Sequence, residues 1–96
     1  MEFNQAFGQA LRQIRLQKKL SQEDFSDISG RTYLSNLERG KQSPTLEKIN
    51  QLASVLGVHP RVLVNLTYMI YDKSGEPDEF VMTLGEELRS VTSGPE

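Results

Sequence analysis

The chain has 96 residues, of which 36% are hydrophobic and 25% charged; this fits one domain near the lower end of what builds its own core, and excludes a disordered chain. With no cysteine and one histidine, it excludes a disulfide framework, Cys-based metal or nucleophile chemistry, and a His-based catalytic or zinc constellation. The net charge of −2 conceals a division: residues 1–66 hold nine basic and six acidic groups, a balance of +3, while residues 67–96 hold two basic and seven acidic, a balance of −5. A local basic face governs attraction to phosphate more than total charge does, so the first part is suited to nucleic acid and the tail is expected to face away from it.

A first helix is expected over residues 4–19, with Phe7, Ala10, Leu11 and Ile14 on one face and Lys18 and Lys19 at the negative end of its dipole. Ser21 opens a second helix over 22–28, with Asp24 three residues on, close to a capping box. Ser29-Gly30 breaks it, and a third helix follows over 31–39, ended by Gly40. In that helix Leu34 and Leu37 point inward, while Arg31, Thr32, Ser35 and Asn36 lie mostly on the other side. A loop over 41–44 leads to a fourth helix, 46–56, capped by Thr45 or Ser43 and stopped by Gly57. Pro60 suits the first turn of a fifth helix over 60–71. That segment is too apolar for one narrow stripe, and Val62, Leu63, Leu66, Met69 and Ile70 are its candidate dimer interface. Residues 72–78 form a turn or linker, and 79–91 looks helical, with Phe80, Leu84, Leu88 and Val91 suitably spaced to fold back on the fifth helix or to join the dimer interface on a partner subunit. The expected division is therefore a body over 1–71 and an acidic extension over 72–96. No apolar run reaches the roughly 20 residues needed to span a bilayer, and no signal-peptide pattern opens the chain; a cytoplasmic protein is expected.

Three stretches at these spacings, SQEDF, RTYLSNLERG and SPTLEKINQLASVLGV, resemble the lambda-repressor-like helix-turn-helix family, also called the XRE or Cro/C1 type. The branch resembled holds phage-repressor-like regulators and restriction–modification controller proteins. The resemblance covers residues 7–66. It implies an all-α, five-helix bundle of that fold, here with an additional C-terminal helical extension. One departure is plain: family members usually have about two more residues between the turn Gly and the recognition helix, supplying an apolar plug and a polar cap. Here Gly30 runs straight into Arg31, so Ile28 is expected to serve as the plug and Ser29 or Gly30 as the cap.

The chemistry of the third helix supports base reading. Arg donates two hydrogen bonds to guanine, Asn pairs with adenine in bidentate fashion, and Thr meets a thymine methyl or a phosphate. Arg31, Thr32, Ser35 and Asn36 are the base-contact candidates, against the bland alternative of a solvated helix face. For the sugar–phosphate backbone, the resemblance points to Gln22 at the start of the second helix and to Arg39, Lys41, Gln42 and Ser43 after the third, with Lys48 a weaker addition. Tyr33 belongs to the backbone set through its hydroxyl. The resemblance also implies that Arg15 pairs with Glu38 as a structural ion pair. His59 reads as a cap before Pro60, and Glu23, Asp24 and Asp27 as a solvated acidic face rather than a metal site.

The reading is a sequence-specific, repressor-type transcriptional regulator that binds double-stranded DNA as a homodimer at a palindromic operator, needs no cofactor and is not an enzyme. The rival is an adaptor or antitoxin-like module of the same fold, with a protein partner on the acidic tail. Dimer symmetry implies half-sites about one helical turn, roughly 34 Å, apart.

Overall fold

The computed structural model describes residues 1–94; Pro95 and Glu96, the end of the expected extension, lie outside the described residues. Its helices are α1 (Phe3–Gln17), α2 (Arg31–Glu38), α3 (Leu46–Leu56), α4 (Pro60–Asp72) and α5 (Pro77–Thr92), with one turn of 3-10 helix over Gln22–Phe25 between α1 and α2. Among the described residues there is no strand, and no helix is long and apolar enough to cross a membrane.

The second expected α-helix is corrected to that single 3-10 turn. Ser26, Asp27, Ser29 and Gly30 are weak helix formers whose short side chains compete for backbone groups. The chain must also enter α2 at residue 31, which leaves no room for further turns. The Ser21 N–H donates to the Asp24 carboxylate (2.7 Å), which fixes the start of the turn. Phe25, fully buried, pins it into the core. Ile28 packs partly buried against that core, as the plug reading requires. Gly30 is the N-cap of α2 by its extended backbone, with no side-chain cap.

The core gathers Phe7, Leu11 and Ile14 of α1, Leu34 and Leu37 of α2, Ile49, Leu52 and Leu56 of α3, and Leu63 of α4 around Phe25. The Phe3 ring packs at a tilt 5.1 Å from Tyr68 and edge-on 5.2 Å from Tyr71, so the start of α1 lies beside the end of α4 and the two helices run antiparallel. Local caps agree with the sequence: Thr45 Oγ1 accepts from the Lys48 N–H (3.0 Å), and His59 Nδ1 accepts from the Arg61 N–H (3.0 Å). Gly40 adopts φ +75° after α2, with Lys41 N–H closing on Asn36 O (2.9 Å), the left-handed cap that only glycine takes at no steric cost.

Leu63 is corrected as an interface residue. It is fully buried and belongs to the core. Of the other candidates on that helix, Leu66, Met69 and Ile70 are half-buried and Val62 is exposed. No residue of α5 is buried.

Candidate nucleic-acid interface

Three pieces of chain come together on one side of the body: the 3-10 turn, the outer face of α2, and the loop from Arg39 to Thr45. What joins them is Glu38. Its carboxylate accepts Arg15 Nε at 2.6 Å, Arg15 Nη2 at 3.1 Å and Gln22 Nε2 at 3.1 Å. Arg15 Nη1 donates in addition to Leu20 O at 2.9 Å. One guanidinium thus ties α1, the chain leading into the turn, and the end of α2. The Arg15 and Glu38 side chains are 9% and 5% exposed, so little water competes. The hydrogen bonds that Arg15 donates to Glu38, and then the charge of Glu38, hold the Arg15 pKa above its ordinary value in spite of burial.

α2 is clamped by close approach as well as by charge. Gly8 of α1 faces the last turn of α2, where a Cβ would stand 2.6 Å from Leu37 O and 2.8 Å from the Glu38 carbonyl carbon. Glycine is the residue that lets the two backbones meet there. On the other flank, Lys48 of α3 donates to Ile28 O at 2.7 Å and lies 5.5 Å from the centre of the Tyr33 ring. Lys48 braces the segment before α2. Tyr33 is half-buried beside it.

On the outward side, Arg31 and Thr32 are exposed and Ser35 and Asn36 half-buried, while Leu34 and Leu37 carry the inward face. The structure therefore brings all four base-contact candidates to one surface. Two of them are already engaged. Arg31 Nη2 donates to Glu23 Oε2 at 2.7 Å, and Arg39 Nη2 donates to Asn36 Oδ1 at 3.1 Å. A guanine would have to take Arg31 from Glu23. An adenine that needs both the oxygen and the amide of Asn36 would have to displace Arg39. Lys41, Gln42 and Ser43 are exposed in the following loop. Gln22, half-buried, spends one amide hydrogen on Glu38 and keeps the other.

Sequence reasoning missed Glu23 as a partner of Arg31. An eight-residue separation across a turn has no fixed geometry, and the acid reads as part of a solvated face. It also passed over Gly8, whose role depends on where α2 lands.

A short, polar-faced helix presented by a turn and buttressed by a core of helices defines a helix-turn-helix protein. Residues 11–63 match the Helix-turn-helix family, and the chain belongs to that family, in its Cro/C1 branch. It is 44% identical to control protein C.BamHI of Bacillus amyloliquefaciens over 64 residues, covering 64% of this chain and 79% of that one. It is 28% identical over 71 residues to the immunity repressor protein of Bacillus phage phi105, covering 72% of this chain and 49% of the repressor. Among solved structures, the restriction-modification controller protein C.AhdI of Aeromonas hydrophila superposes with a TM-score of 0.58 at 42% identity, covering 62% of this chain and 94% of that one. The chain is a helix-turn-helix transcriptional regulator of the repressor or controller type, a class of DNA-binding proteins rather than enzymes.

Proposed function

We propose that this protein reads a palindromic operator as a homodimer, with α2 in the major groove. The observation that carries the reading is the outward face of α2: Arg31, Thr32, Ser35 and Asn36 together, on a helix held rigid from behind by Arg15–Glu38 and Gly8. Rigid backing matters because base-edge hydrogen bonds discriminate only when the donor arrives in register. Arg39, Lys41, Gln42 and Ser43 after α2, with Gln22 and the Tyr33 hydroxyl, would hold phosphates and set the docking angle without reading sequence. The +3 balance of residues 1–66 supports this, since phosphate attraction acts locally. The relatives, a control protein, an immunity repressor and a restriction-modification controller, favour a regulatory role.

The test is selection of random duplexes by the purified protein at about 150 mM salt, with the Arg31→Ala variant in parallel. The expected result is a consensus with two-fold symmetry in which the variant relaxes one position per half-site. No enriched sequence for the wild type, combined with salt-sensitive binding to all DNA, would overturn it in favour of an adaptor.

A further inference from the structure

α5 lies beyond residues 11–63, the part of the chain that matches the family, and nothing in the body accounts for its apolar residues. It is a 16-residue helix without one buried residue. An isolated helix of that length is marginal in water, because most helical stability in proteins comes from packing an apolar face. Phe80 and Leu84 turn partly toward α4, where with Val64 and Tyr68 they line an open groove of about 570 Å³. Val81, Leu88 and Val91 turn to solvent and are 63%, 51% and 76% exposed.

Two measures of the whole molecule say how much cover is missing. A compact monomer of 10.9 kDa exposes about 5,600 Å²; this chain exposes 6610 Å². A compact chain of this length has a radius of gyration of about 12.5 Å; this one has 14.6 Å. The excess surface of about 1,000 Å² matches what each partner contributes to a stable interface, about 800 Å².

We propose that α5 is an interface arm whose occupant is a second copy of this chain, paired through Val81, Leu88 and Val91. This rests on the homodimer reading above and moves the weight of the interface from α4 to α5. The candidate face of α4 offers little: Leu63 is in the core, Leu66, Met69 and Ile70 are half-buried, and Val62 is 44% exposed. The α5 flank offers three large apolar side chains. Its acids stand at its edges, Asp78 three residues before Val81 and Glu87 four before Val91. At helical spacing Val81 and Leu88 lie opposite Glu79 and Glu86, so a two-fold axis can pair this flank with itself while those carboxylates stay in water. A basic partner helix would find its carboxylates instead around the groove, where Asp72, Glu76, Glu79 and Glu87 stand. The two occupants differ in salt response. Each α5 carries four acids and one base (Asp78, Glu79, Glu86, Glu87; Arg89), so two copies repel and their association tightens as salt rises.

The experiment is sedimentation equilibrium of the full chain and of the full-length variants Leu88→Glu and Val62→Glu, at low and high salt, with thermal melting as a check on the fold. Leu88 and Val62 are surface side chains, so neither change opens a cavity. The expected result is a wild-type dimer that tightens with salt, a Leu88→Glu chain at least about 30-fold weaker in self-association with its melting at low concentration unchanged, and a Val62→Glu chain close to wild type. Dimerisation unaffected by Leu88→Glu but abolished by Val62→Glu overturns the arm and leaves the homodimer standing. A wild-type chain that stays monomeric at every concentration and salt overturns both.

Discussion

The Arg31–Glu23 pair makes a prediction that runs against the usual expectation that mutating a DNA-facing residue weakens binding. The two side chains are 69% and 73% exposed, with a single contact at 2.7 Å. An exposed pair of this kind is worth about 0–1 kcal/mol. Arg31 must give up that amount before it can serve a guanine. Glu23→Gln removes the competitor, so operator affinity should rise, by at most about fivefold. Arg31→Ala should cost about 1–3 kcal/mol, since it deletes a bidentate contact. The decisive variant is the double mutant. If Glu23 acts by holding Arg31, then Glu23→Gln should gain less than about twofold in the Arg31→Ala background, the residue of losing one carboxylate near the phosphates. Fluorescence anisotropy with the selected operator, titrated for all four proteins at one fixed salt concentration, reads the coupling. An equal gain in both backgrounds would mean that Glu23 merely repels phosphate. A loss in the Glu23→Gln protein would mean that the carboxylate aims Arg31 at its base. Either result refutes the competition argument.

Two other substitutions test the support behind α2. Gly8→Ala improves helix propensity by about 1 kcal/mol, yet its methyl would meet Leu37 and Glu38 backbone atoms that cannot step aside. Overpacking costs about 1–3 kcal/mol, so thermal melting should fall, whereas Gly85→Ala, whose Cβ meets only Arg89 Nη1 at an ordinary 3.6 Å, should not lower it. Arg15→Met leaves Glu38 buried without its counter-charge and should cost about 3–5 kcal/mol, a fall of at least about 12 °C in melting temperature. Because the folded-state pKa of Arg15 is raised, its contribution is fully present below the ordinary arginine value and is lost only as pH climbs through the higher folded value. The difference between wild type and Arg15→Met, measured by urea unfolding, should therefore stay constant between about pH 7 and 10.

What the sequence made legible and what it did not divide along a physical line. α3 was readable to its ends because each signal is local: Thr45 caps, the Ile49–Leu52–Leu56 stripe repeats at helical spacing, and Gly57 stops it. The inward and outward faces of α2 followed from the same periodicity. The turn at Gln22–Phe25 was read as longer than it is, because propensity over seven residues carries no knowledge of how soon the chain must begin the next helix. Leu63 reads as a dimer-interface candidate because α4 is apolar on several sides, and only packing decides which side the core takes. Within the candidate site, residue types were legible and their pairings were not. Arg31 with Glu23, and Arg39 with Asn36, depend on where side chains from separate turns meet.

The arrangement around Glu38 also bears on why so short a turn can serve. In a body whose turn is a single 3-10 loop, the position of α2 cannot come from a second helix lying along it. Here it comes from the far end of α2 instead. Glu38, in the last turn, is held by Arg15 of α1 and by Gln22 of the 3-10 turn. Gly8 admits the α2 backbone to near-contact at the same place, and Gly40 folds the chain back over Gln5 just beyond it. The other end is held more lightly, by Lys48 on Ile28 O and by an N-cap without a side chain. A helix of eight residues spans about 12 Å, so anchoring its last turn fixes the direction of the whole. Arg31, at the lightly held end, keeps the freedom to exchange Glu23 for a base. Rigidity is concentrated where the fold is decided, and adjustability is left where a sequence would be read.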